Sequence, residues 1–271
     1  MRPVRYLLPA VLLVTAAAPA DAALTLRYSD LNSLSPTADP DFEVGYFNGV
    51  LGFPVVGGSA QTPLERAVAQ TRSAPTDRRG LHLPTAATGI PVSDGGTGVT
   101  QALTTVAAFA ASTLDFGNGI AIPFSFTRTG SVVTFTLGTT VLASDSRASF
   151  ADIDAFTLRI RSEASRPANS IQFNDLLFSD SSVVNQALGS FSAANGERTI
   201  AFWSGIAPGD FTLSGSYVNS WTDGNRPGGS ALASQLKFLS VGDPFGAVPA
   251  PASLALFGLG LLGLAARRHR A

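Results

Sequence analysis

Between residues 120 and 138 the chain twice alternates apolar with hydroxyl residues, as "IAIPFSFTR" and then "SVVTFTLG", with Thr129 and Gly130 between the runs. A period of two puts Phe124 and Phe126 on one side of an extended strand and Ser125 and Thr127 on the other. In the second run Val133, Phe135 and Leu137 oppose Thr134 and Thr136. Two such runs around turn residues form a hairpin with one dry and one wet face.

The pattern recurs. "ALTLRYSD", "DFEVGYF", "VLGFPVV", "AFTLRIRS" (Phe156, Leu158 and Ile160 on one face), "SIQFNDLLFSD", "GDFTLSGSYV" and "SQLKFLSV" read as further short strands, and Asn195-Gly196 marks a turn before "RTIAFWSG". About ten short strands with regular turns predict a mainly β fold, an antiparallel β-sandwich, jelly-roll-like. One or two short helices are expected within it. Thr62-Pro63-Leu64-Glu65 has the form of a capping box, with Leu64 and Val68 four apart and Pro75 as the stop. A second helix is expected over residues 99–112, where Leu103, Val106 and Phe109 share a face. The preceding "SDGGTG" lacks the Gly-Lys-Ser/Thr of a phosphate loop and reads as a loop leading into that helix.

Composition narrows the function classes. The chain has no cysteine, which excludes disulfide scaffolds, thiolate metal sites and a Cys nucleophile. Charged residues make up 14%, well below the roughly 25% of an ordinary soluble domain. Arg2, Arg5, Arg267, Arg268 and Arg270 sit in the two end segments, so the rest is mildly acidic. A chain with no basic stripe is not built for nucleic acid.

The ends carry addresses. Arg2 and Arg5 precede an apolar run, and Ala20 and Ala22 stand three and one before a cut site, so residues 1–22 read as a signal peptide removed by signal peptidase. Residues 23–240 would be the β body and 241–247 a linker. At the other end residues 252–266 are apolar throughout and would span about 22 Å as a helix, against a hydrocarbon core of roughly 30 Å. The basic residues beyond read as a stop held on the cytoplasmic side. Gly258, Gly260 and Gly263 spell a dinucleotide-like spacing, but the chain stops eight residues later, so they read as thinning a membrane helix.

Val248, Pro249, Ala250 and Pro251, the run "LALFGLGLLGLAA" and the basic Arg267, Arg268 and Arg270 closely resemble the PEP-CTERM sorting signal of Gram-negative bacteria. Ala250 stands where that motif usually has Glu. The resemblance implies recognition by exosortase, a membrane-embedded Cys-type transpeptidase, and delivery to the cell surface or the extracellular polysaccharide matrix. From "PFSFTRTGSVVTFTLG" to "GDFTLSGSYVNSWTDG" the body resembles the choice-of-anchor type of β domain that precedes such tails. The implied role is non-catalytic, structural or adhesive, with the membrane, the sorting enzyme and extracellular polysaccharide as partners.

Candidate chemistry is sparse. His82, in "RRGLHLP", is the one histidine left after processing and reads as a solvated loop residue, not the base of a Ser-His-Asp set. Asp152, Asp154, Glu163 and Asp175 supply carboxylates for glycoside hydrolysis, though turn acids account for them as well. No catalytic residue or cofactor is assigned. Calcium is the one ion for which ligands are spaced, through Asp39, Asp41 and Glu43 or Asp152 and Asp154. Trp203, Tyr217 and Trp221 raise a second reading, a polysaccharide-binding module. Trp203 is expected in the packing and Trp221, beside a turn, at the surface.

Overall fold

The hairpin expected from residues 120–138 is present and sets the plan of one sheet. The computed structural model describes residues 24–33, 55–56, 59–60, 64–72, 80–84, 90–91, 103–108, 117–164, 168–222, 227 and 231–241. The strands run β1 (Thr25–Ser33), β2 (Val55–Val56), β3 (Ser59–Ala60), β4 (Leu64–Arg72), β5 (Gly80–Pro84), β6 (Ile90–Pro91), β7 (Leu103–Ala108) and β8 (Ala121–Thr129). They continue as β9 (Val132–Leu137), β10 (Thr140–Ser146), β11 (Ala155–Ser162), β12 (Ser170–Ser179), β13 (Gln186–Ala194), β14 (Arg198–Ser204), β15 (Phe211–Ser220) and β16 (Leu232–Ser240). Among the described residues a single 3-10 turn, Ala148–Asp152, interrupts them.

All pairings are antiparallel. One sheet has the order β1-β14-β11-β16-β4-β5-β7, with β6 against β4. The other has the order β10-β9-β8-β15-β12-β13. From β10 onward the chain crosses repeatedly between them, so neighbours in sequence such as β11 and β12, or β15 and β16, belong to different layers.

The inner faces close on one apolar cluster. Phe126 of β8 stacks on Phe238 of β16 with centroids 3.5 Å apart, and Phe178 of β12 lies 6.3 Å from Phe156 of β11. At the side of the core Phe191 of β13 meets Trp203 of β14 edge-on at 5.4 Å. Each fully buried phenylalanine of this kind stabilises the fold by about 2–3 kcal/mol.

The alternation in β8 and β9 matches the expected faces: Phe124, Phe126, Val133, Phe135 and Leu137 are buried, and the hydroxyl residues between them are half-exposed. Gly130 takes φ +58 in the turn. Phe156, Leu158 and Ile160 share the inner face of β11 as expected.

Two expectations are corrected. Residues 64–72 are a strand, not a helix. β4 pairs with β16 on one side and with β5 and β6 on the other, and Glu65 through Thr71 are all buried. A strand covered on both faces need not alternate in polarity, and its Glu, Arg, Ala and Gln are good helix formers, which produced the false signal. Thr62, Pro63 and Pro75 lie outside the described residues.

Residues 103–108 of the second expected helix are likewise a strand, paired with β5. Thr104, Thr105 and Val106 are β-branched, and that local preference prevailed over a helical spacing of three residues. Residues 99–102 and 109–112 lie outside the described residues.

Candidate functional site

β16 ends at Ser240, and Val241 is the last described residue before the tail. Its backbone N–H donates to Asp154 Oδ1 at 2.8 Å, and Asp154 N–H donates to the Leu239 carbonyl at 3.0 Å. The Asp154 carbonyl accepts from Gly205 and Ile206, both at 3.0 Å. One aspartate thus ties the point where the chain leaves β16 to the start of β11 and the end of β14.

The same end of the sandwich is organised around Arg128. Its side chain continues the inward line of Phe124 and Phe126 and is 1% exposed. Its guanidinium donates to the carbonyls of Phe150 (3.1 Å), Ile153 (2.7 Å), Ala207 (3.2 Å) and Gly209, and lies 4.7 Å over the Phe211 ring. Five rigid N–H donors suit this fan of acceptors, which a lysine could not serve. Burial draws the Arg128 pKa below its ordinary value, opposed by the charges of Asp210, Asp180, Asp154 and Asp152. Asp180 fastens the neighbouring turns, accepting from Ser182 N–H (2.8 Å) and Val183 N–H (3.0 Å) on one oxygen and from Ala207 N–H (2.9 Å) on the other.

The tail itself, with Val248, Pro249, Ala250, Pro251, Arg267, Arg268 and Arg270, lies outside the described residues, as do Ala20 and Ala22. Its residue order decides its nature: residues 247–270 match the PEP-CTERM protein-sorting motif. The chain carries a PEP-CTERM sorting signal. That signal implies an exported protein that exosortase processes at the envelope. No curated protein matches the chain.

In the body of this PEP-CTERM protein the sequence-predicted chemical residues scatter. His82 is not a solvated loop residue. It lies in β5 opposite Val68 and is 5% exposed. Gly80 and Pro84 bound so short a strand that the segment looked like a loop.

On the same outer face of the larger sheet, Lys237 is also opposite Val68, and its Nζ donates to Glu65 Oε1 at 2.8 Å. A bulge at Arg66 turns Glu65 to that side, since Phe238 pairs with Ala67 and Leu239 with Glu65. Gln235 Nε2 donates to Gln70 Oε1 at 3.0 Å beside them, and Arg159, 8% exposed, pairs in register with Gln235. This buried polar band depends on the pairing of distant strands and leaves no local pattern in the sequence.

The acidic candidates do not converge. Asp152 meets Arg66 at 3.3 Å, Asp154 holds Val241, Asp175 sits on a bulge of β12 with φ +53, and Glu163 is exposed before the β11–β12 turn. Among the described residues no three His, Asp or Glu side chains are grouped to hold a metal ion. Asp39, Asp41 and Glu43 lie outside the described residues.

Trp203 is in the core at 1% exposure and Tyr217 at 0%, so neither joins a surface platform. Trp221 is half-buried against the core, with its backbone N–H donating to Asn118 Oδ1 (2.8 Å) and its carbonyl accepting from Asn118 Nδ2 (2.7 Å).

Proposed function

We propose that the protein is a non-catalytic structural or adhesive component of the cell surface or extracellular matrix, with its jelly-roll-like, choice-of-anchor type body as the displayed part. The observation that carries the proposal is the sorting motif over residues 247–270. In this reading signal peptidase cuts after Ala22. Exosortase then recognises Val248, Pro249, Ala250 and Pro251, while residues 252–266 span the membrane and Arg267, Arg268 and Arg270 act as the stop. Residues 241–247 are the linker that brings the body within reach of the enzyme.

The non-catalytic part of the reading is supported by how the polar groups are used. Asp154 and Asp180 hold backbone N–H groups, Asp152 faces Arg66, and His82 is buried within a sheet. These groups are committed to the frame: the three aspartates lie around the backbone-bound Arg128, and His82 lies apart from them in β5.

The test is the intact mass of the mature protein from envelope and medium fractions of a host that carries exosortase. A mass that begins after Ala22 and lacks the residues beyond about Pro251 is the expected result. A mass that still includes Arg270 would overturn processing and leave a plain anchored body.

A further inference from the structure

The outer face of the six-stranded sheet is ruled by hydroxyls. Strand register places Ser144, Thr134, Thr127, Thr212 and Ser179 in one row across β10, β9, β8, β15 and β12. A second row, two residues along on every strand but β10, where a bulge makes it three, holds Val141, Thr136, Ser125, Ser214 and Leu177. Their neighbours along each strand, among them Phe124, Phe126, Phe135, Leu213 and Phe178, fill the core, so these side chains point outward. The members of the first row are half-exposed, except for Ser144, which is exposed.

Neither row contains a charged residue. In a soluble face such an absence is unusual, because exposed sheet surfaces are normally studded with Lys and Glu. Asp175 sits on its bulge outside both rows. Neighbouring strands lie about 4.8 Å apart and alternate residues about 6.8 Å apart, so the hydroxyls form a lattice roughly 19 Å wide across five strands.

Some positions are engaged. Thr134 Oγ1 donates to Ser144 Oγ at 3.3 Å, and Ser179 Oγ accepts from Asn185 N–H at 2.9 Å. Among the described residues the hydroxyls of Ser125, Thr127, Thr136, Thr212 and Ser214 take part in no hydrogen bond.

We propose that this face binds a neutral polysaccharide chain laid across the strands. Each hydroxyl both donates and accepts, which matches a polymer whose own surface is hydroxyls. With no cation in either row, the face has nothing to neutralise phosphate, nucleic acid or an acidic polysaccharide. With no outward aromatic in either row, each sugar is held weakly. Affinity therefore comes from the number of sugars engaged, and it rises with chain length while staying insensitive to salt. The inference deepens the adhesive reading above and is scored separately from processing, because binding is read on the unprocessed chain.

The experiment is affinity electrophoresis of the full chain in a zwitterionic, sugar-free detergent. The gels contain dextran, a soluble β-glucan or galactomannan, with alginate as the acidic comparison. At least one neutral gel is expected to retard the protein equally at low and high salt. The Thr127→Val/Thr134→Val/Thr212→Val variant, which keeps shape and removes three hydroxyls, should lose at least tenfold in apparent affinity. Val184→Ser, at an exposed position outside both rows, should bind as the parent does.

If the triple variant loses the parent's tryptophan emission, Ser125→Ala/Ser214→Ala replaces it and should lose at least threefold. The proposal is overturned if no neutral polysaccharide retards the parent, if the folded variant is retarded equally, or if only alginate binds and salt abolishes it. It is also overturned if the parent self-associates and the variant does not, which would make the face a contact between copies.

Discussion

Lys237 and Glu65 are 172 residues apart in sequence, yet their side chains meet at 2.8 Å on the outer face of the larger sheet, 6% and 0% exposed. Removing two charges from water costs several kcal/mol per ion, and the pair is tolerated because each neutralises the other. Lys237→Met alone should therefore cost about 3–5 kcal/mol, by taking the ammonium away from a buried carboxylate. Adding Glu65→Leu should recover most of that loss. Denaturant midpoints for both single variants and the double variant test it, and independent, additive costs would show that the pair is not coupled.

Arg128 serves backbone, not a ligand. Arg128→Met takes the guanidinium from the carbonyls of Ile153, Ala207 and Gly209 and leaves Phe150 with only the Ile153 N–H, and the expected loss is about 3–5 kcal/mol. Arg128→Lys should recover only part of it, since an ammonium cannot span the fan. A midpoint unchanged in Arg128→Met would remove this group from the account of stability.

Gly196 follows Asn195 in the tight turn before β14, with φ +97 and +50 respectively. A Cβ at Gly196 would stand 2.7 Å from the Ala164 Cβ, so Gly196→Ala meets both a disfavoured backbone region and a clash. A loss of about 1–3 kcal/mol is expected in thermal or denaturant unfolding. A neutral result would mean that the β11–β12 turn moves aside freely.

The two tryptophans differ in burial, which solution fluorescence can read separately. In Trp221→Phe the remaining Trp203 should emit at short wavelength and resist iodide, because it is 1% exposed between Phe156 and Phe191. In Trp203→Phe the remaining Trp221, partly buried, should be quenched. Equal quenching of both would contradict the packing of β14 against β13.

Pro249→Ala tests the sorting signal at its least ambiguous residue. Uncleaved precursor should accumulate in the membrane fraction, seen as an intact mass that retains Arg270. Release at the parent rate would show that recognition does not read Pro249.

The sequence exposed the elements that have one wet face and hid those that have none. β8 and β9 could be read because Ser125, Thr127, Thr134 and Thr136 break the apolar line at every second residue. β4 is covered on both faces, so its pattern carried no period of two, and Glu65 looked like a helix cap when its partner was Lys237. Arg128 left a trace that could have been followed, since it shares parity with Phe124 and Phe126 and so stands in a line of core residues. The hydroxyl rows left none beyond the alternation itself, because a row exists only once the register of five strands is known. The sorting signal is the opposite case: its information lies in residue order.

β16 leads directly toward that signal and is an interior strand, laddered along its length to β11 on one side and β4 on the other, both antiparallel. Tension drawn from the tail along β16 would have to slide the strand past both neighbours, loading every rung at once rather than peeling them one by one. Asp154, holding Val241 at the mouth of the strand, is the first rung to feel it. If the body is displayed through its C-terminal side, as in the proposed function, this geometry is a brake against being pulled open.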